Sequence, residues 1–159
     1  MRTSLVAAML AFSVSAAAQS SDPIKPNDPL LGTWELNVAK STFKLSPPEK
    51  SETRTYALVG KEIKATSTTV TIDGKTVPGA WTVVYDGKDR AETGDPLADS
   101  LSLTRTDPYH RTAISKKNGK IVSTTTGVIS PDGKTMTLTT KGKNAKGEAV
   151  TEIVVFDKK

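Results

Sequence analysis

Arg54, Tyr56 and Arg105 are the side chains in this sequence best suited to hold a small anion. Arg54 and Tyr56 stand two residues apart in a stretch of period two, so their side chains share one face of a strand, together with Leu58. Two guanidinium groups and a phenol can clamp a carboxylate through charge-assisted hydrogen bonds. Trp81 and Tyr85 share a face of a later strand and would supply aromatic lining. His110, the only histidine, is expected inward and opposite Arg105. The expected binding set is therefore Arg54, Tyr56, Trp81, Tyr85, Arg105 and His110. The competing reading leaves both arginines at a rim with their heads in water and His110 packed or hydrogen-bonded near an end of the fold.

Other chemistries find less support. With no cysteine there is no disulfide, thiolate metal site, cysteine nucleophile or N-terminal lipoprotein cysteine, and one histidine makes no multi-histidine metal cluster. Serines are many, but no G-x-S-x-G elbow presents one beside His110. Asp86, Asp89, Glu92, Asp95 and Asp99 crowd one loop, yet their spacing matches no EF-hand. The expectation is no metal, no cofactor and no enzyme activity. A hydrolase using His110 with Arg105 or Asp107 is the third reading, after a ligand-binding barrel and a non-catalytic envelope or interaction module with a filled core.

The elements that must position these groups are strands. From Ser51 onward apolar and polar residues alternate, with many threonines, and Asp73-Gly74, Asp86-Gly87, Asn118-Gly119 and Asp132-Gly133 read as type I′ hairpin turns. Candidate strands run over 51–59, 61–72, 76–86, 99–106, 109–117, 120–130, 134–141 and 149–157, after a first strand at Gly32–Asn37. Two-residue turns would pair Leu101 with Ile114, Arg105 with His110, His110 with Gly127, Gly127 with Leu138 and Ile129 with Met136. That register gathers Leu101, Leu103, Ile114, Ile121, Ile129, Met136 and Leu138 on one face. Val70 and Ile72 fall out of phase with Ile63 and Ala65, which a bulge at Pro78-Gly79 would repair. An up-and-down barrel closes only with an even strand number, so Lys88–Thr93 is expected as a short tenth strand beside the nine. The fold class is an all-β, antiparallel up-and-down barrel of 8–10 strands of the lipocalin or fatty-acid-binding-protein type, with a β-sandwich as the alternative.

The N-terminus reads as an export signal. Arg2, an apolar run from Leu5 to Val14 and Ala16-Ala17-Ala18 make a Sec-type signal peptide over 1–18, cleaved after Ala18, and the run is too short to span a membrane. Residues 19–30, with Pro23, Pro26 and Pro29, form a flexible leader, and 31–159 is the single barrel domain. The expected location is the periplasm or the medium, and the expected state a monomer. Net charge is +5, but the lysines are scattered and aromatics are only 5%, so no nucleic-acid face is expected.

Gly32-Thr33-Trp34 followed by Asn37, Ser41 and Phe43, the run Tyr85-Asp86-Gly87-Lys88-Asp89 with Gly94-Asp95-Pro96, and Ser130-x-Asp132-Gly133-Lys134 resemble small secreted bacterial lipocalin-like (calycin-type) barrels over most of 31–157. The resemblance implies a barrel that binds a small apolar or amphipathic molecule. It also implies an arginine from a late strand packed on Trp34. The last strand has no arginine, which leaves Arg105 as the substitute if the strands number ten.

Overall fold

Ten strands form among the described residues, close to where patterning and glycine turns place them: β1 (Gly32–Leu36), β2 (Glu49–Val59), β3 (Glu62–Thr71), β4 (Thr76–Val83), β5 (Arg90–Ala91), β6 (Ser100–Asp107), β7 (His110–Lys117), β8 (Lys120–Ile129), β9 (Thr135–Lys143) and β10 (Ala149–Lys158). The structure is a computed structural model and describes residues 23–159; the expected signal peptide and residues 19–22 lie outside the described residues. The strands form one antiparallel sheet in the order β4-β3-β2-β1-β10-β9-β8-β7-β6-β5. First and last strands pair, Trp34 opposite Lys158 and Leu36 opposite Phe156, which makes the sheet a nearly closed barrel and not a sandwich.

The seam lies between β4 and β5. The short tenth strand exists, but it pairs with β6, Arg90 opposite Leu101, and not with the end of β4. Backbone bonds between Ala80 and Thr93 (3.2 and 3.1 Å) close the ring. Gly79 and Gly94 permit that contact. A Cβ on Gly94, whose φ is +94°, would stand 2.6 Å from the Gly79 Cα and 2.7 Å from the Pro78 carbonyl oxygen. Pro78-Gly79 is thus a closing point rather than a bulge, for β3 and β4 pair without a register shift from Ile63–Val83 to Val70–Thr76. Ile72 needs no repair; its side chain simply faces water.

Register is where the reading needs correction. The β8–β9 hairpin pairs Ile129 with Met136, Gly127 with Leu138 and Thr125 with Thr140, as expected. The β6–β7 hairpin is shifted by one residue. Asp107 accepts hydrogen bonds from the backbone N–H of Tyr109 (2.7 Å) and His110 (3.0 Å), and a bulge between Arg105 and Asp107 sets Arg105 opposite Arg111. A second bulge, at Ser115–Lys116, carries the shift into β7–β8, so Arg111 and not His110 opposes Gly127. Because side chains alternate faces, one residue of slip sends His110 outward and Arg111 inward. Ile114 leaves the core face with it, and Ile121 is 63% exposed. The turns differ too. Only Asn118-Gly119 has both residues at positive φ, the type I′ form; at the three Asp-Gly turns the glycine alone is positive.

One end of the barrel is sealed. Trp34, Ile63, Met136 and Phe156 are fully buried there, with Leu30 and Ile129 at 1%. Leu30 belongs to the proline-rich leader, whose last residues are therefore a plug and not a free spacer. The Trp34 indole N–H donates to the Leu30 carbonyl at 2.8 Å. Arg105 donates to Asp28 at 2.8 Å, both side chains being 3% exposed. Burying that pair is costly unless both charges stay matched, which fixes the leader in place. The cation over Trp34 is Lys158, its Nζ 5.1 Å from the ring centroid and donating to the Pro29 carbonyl at 2.9 Å. A last-strand lysine thus stands where an arginine was sought, while Arg105 lies at the same end on the leader's carboxylate.

Candidate functional site

Above the sealed end the barrel holds a cavity of about 410 Å³. This is the size of a small-ligand site, not the filled interior of a minimal barrel. Its walls are mixed: Leu101 and Leu103 of β6, Ala113 of β7, Leu138 of β9, Val154 of β10 and Trp81 of β4 form an apolar part, and Ser115, Ser123, Thr125 and Thr140 a polar one. Period-two alternation along these five strands puts the apolar side chains inside. Trp81 meets Tyr56 edge to face, centroids 5.9 Å apart, a favoured packing of two rings on this wall.

The far side of the mouth is built by the chain between β1 and β2. β1 has five residues while its neighbours β2 and β10 have eleven and ten, so the sheet would gape above Leu36. Thr42 bridges to Ile153, and Phe43 and Leu45 turn inward to line the gap. Glu152 of β10, 7% exposed, holds the segment: its Oε2 accepts the backbone N–H groups of Lys44 (2.9 Å), Leu45 (2.9 Å) and Ser46 (3.1 Å). Three successive amides converge on one carboxylate, as in an anion-binding nest, but the anion is the protein's own.

Of the six side chains expected to bind ligand, Arg54, Tyr56, Trp81 and Tyr85 line this cavity. The clamp they were to form does not exist. Arg54 is bidentate on Glu52 (2.7 and 3.1 Å) and lies over the rings of Phe156 (4.5 Å) and Trp81 (5.6 Å). Burial disfavours its charge, but the Glu52 carboxylate outweighs burial and raises its pKa. Arg105 is beneath the cavity, taken up by Asp28 and stacked on Tyr85 (4.7 Å). His110 is at an exposed hairpin tip, bonded to Asp107 at 2.8 Å, and no part of the lining. The His110–Asp107 pair named by the hydrolase reading does form, but at the hairpin tip and outside the cavity.

Arg111 takes their place. It lies on the cavity wall near the sealed end, opposite Gly127, where a Cβ would stand 3.0 Å from the Arg111 side chain. Gly127 therefore leaves the room through which the guanidinium reaches the Met136 thioether. A thioether is a weak acceptor for a group with five donors. Among the described residues no carboxylate lies within ion-pair distance of Arg111. Tyr85 is close by, its hydroxyl pushed up to about 12 by burial, so it remains a neutral phenol. The sequence signal for this arginine was present in Arg111 itself, one residue from the histidine that was favoured. The signal for Arg54's partner was Glu52-x-Arg54, two residues apart on one strand face.

Acidic groups collect at the mouth. Glu49 is pushed up to about 7, first by burial and then by the Glu52 carboxylate; Glu92 is likewise pushed up to about 7, by burial and then by Asp95. Both are protonated more readily in the fold than in the unfolded chain, where glutamate titrates near 4.3. The native state then binds more protons between about pH 4.5 and about 7, so stability falls as pH rises through that window and levels off above it. Urea midpoints at pH 5 and 7.5 should show that fall, with a smaller fall in Glu49→Gln or Glu92→Gln. A fall between the two pH values that is as large in a Glu49→Gln, Glu92→Gln double variant as in the wild type contradicts this assignment.

Among the described residues no group of three or more acidic or histidine side chains is placed to hold a metal ion, and no helix is long and apolar enough to cross a membrane. No protein family, curated protein or solved structure matches the chain.

Proposed function

We propose that this protein is an exported, monomeric, lipocalin-like barrel that binds a small amphipathic anion, head on Arg111 and apolar body against Trp81, Leu103, Leu138 and Val154. The observation that carries this reading is the Arg111 guanidinium on the wall of a 410 Å³ cavity with Met136 Sδ as its hydrogen-bond acceptor among the described residues. A buried-side cation in low dielectric gains much from an anion, and two parallel N–H···O bonds suit a carboxylate. The apolar walls supply the rest of the affinity by burial, at about 25 cal/mol per Å². Export rests on the signal-like start of the sequence and is tested separately by the N-terminus of the mature chain.

Decanoate is a suitable first probe. Calorimetric titration should give a dissociation constant in the micromolar range for the wild type. Arg111→Met keeps an unbranched apolar stem while removing the charge, and should bind about ten- to a hundredfold more weakly, the loss expected for charge-assisted hydrogen bonds. Equal affinity of the two proteins, with unchanged far-ultraviolet dichroism, would sink the assignment of Arg111.

A further inference from the structure

Glu92 also lines the cavity, and its Oε2 is buried without a hydrogen-bond partner among the described residues. Arg54 is near enough to act on its charge, but Arg54 is already bidentate on Glu52. A purely apolar ligand end would leave this acceptor desolvated, which is costly; a hydroxyl or ammonium group would satisfy it. The cavity therefore has a donor at one level and an acceptor at another.

The separation of the two follows from register. The Glu92 N–H donates to the Asp99 carbonyl, whereas Arg111 stands opposite Arg105, six residues further along β6. At roughly 3.3 Å per residue and a strand tilt near 40°, that is about 15 Å along the barrel axis. Volume gives a second bound. The 410 Å³ would hold about fourteen groups the size of a water molecule. Both bounds describe a chain of medium length rather than a long one.

Polarity sets its direction. Glu49, Glu92 and Asp95 line the mouth, whereas Arg111 lies near the sealed end. An anionic head left at the mouth would face these three acidic groups, with the exposed Lys143 as the one lysine of the lining among the described residues, and a head carried down to Arg111 faces a guanidinium.

We propose that the ligand is bipolar: an anionic group seated on Arg111 at the sealed end, a hydroxyl or ammonium donor at the other end on Glu92, and about ten to fourteen chain atoms between them. This rests on the binding function proposed above and adds the second polar contact. The length is set by the cavity, and the orientation by the order of charges along its axis.

The test compares decanoate with 10-hydroxydecanoate by calorimetry on the wild type, Glu92→Leu and Glu92→Gln. The hydroxyl compound should bind the wild type about tenfold more tightly. The preference should vanish in Glu92→Leu and survive in Glu92→Gln, which keeps an acceptor oxygen. If decanoate binds the wild type as tightly as 10-hydroxydecanoate, the bipolar ligand is overturned while the Arg111 site stands. Binding of neither compound to the wild type overturns both. Should Glu92→Leu fail to fold, Glu92→Ala takes its place with the same expected loss of preference, and the wild-type comparison of the two compounds still decides whether the ligand is bipolar.

Discussion

Trp34→Ala should lower the thermal midpoint by roughly 6 to 20 °C, the largest single-residue effect expected in this barrel. Trp34 is wholly buried at the sealed end and belongs to the same core as Phe156, Met136 and Leu30. Truncating a buried tryptophan costs about 3–5 kcal/mol, the lost transfer energy plus the cavity left behind. For a domain of this size each kcal/mol moves the midpoint by about 2–4 °C. The loss also reaches the leader, because the indole N–H is what meets the Leu30 carbonyl at 2.8 Å. Trp34→Phe separates the two contributions: it keeps most of the packing and drops the hydrogen bond, so its cost should be about 1–3 kcal/mol. Differential scanning calorimetry checks both. A Trp34→Ala midpoint within 2–3 °C of wild type would mean that the sealed end is not the organising core described here.

Glu152→Leu is the second large effect. The carboxylate is the common acceptor of three backbone N–H groups and of the Ser46 hydroxyl. Hydrogen bonds to a charged acceptor contribute about 1.5–3 kcal/mol each, but the three share one oxygen and the freed segment can turn toward water, so their loss is not additive. A net cost of about 3 kcal/mol is expected, read as a lower urea midpoint with an unchanged slope. The local signature is sharper than the global one. Amide exchange at Lys44, Leu45 and Ser46 should accelerate by at least tenfold relative to amides in β8 and β9. Glu152→Gln, which keeps an acceptor, should show an intermediate effect. If those three amides exchange at the wild-type rate in Glu152→Leu, the segment is held by Phe43 and Leu45 packing and not by the carboxylate.

Much of the barrel was legible in the sequence because its information is local. Alternation and glycine turns marked the strands within a few residues, and parity together with Asp86-Gly87 asked for the short strand found at Arg90–Ala91. The β8–β9 register followed from Asp132-Gly133 because the loop there is compatible with a simple count. The site was less legible because it depends on single-residue slips. Asp107 captures two amides of its own turn, a contact worth little in itself, yet it exchanges Arg111 for His110 on the inner face. Two further features depend on contacts distant in the chain. Asp28 reaches Arg105 across 77 residues and Lys158 reaches Pro29 across 129, and neither pairing leaves a trace in local spacing. The Glu52–Arg54 pair was local and readable; two like-facing residues of opposite charge neutralise each other before any ligand is considered.

These corrections leave the idea of an inward cation intact and move it to another strand. Arg54 and Arg105 are held by protein carboxylates and serve the architecture. Arg111, with Gly127 opposite to admit it, is the cation on which the proposed ligand site rests.

Carbon-13 NMR of carboxyl-labelled decanoate tests that claim most directly. With wild-type protein a distinct bound carboxyl resonance should appear, and its titration midpoint should lie well below that of free decanoate, since a neighbouring guanidinium favours the ionised form. With Arg111→Met the depressed midpoint should be lost. A bound resonance that titrates like free decanoate, or no bound resonance at all, would contradict an anion site at Arg111.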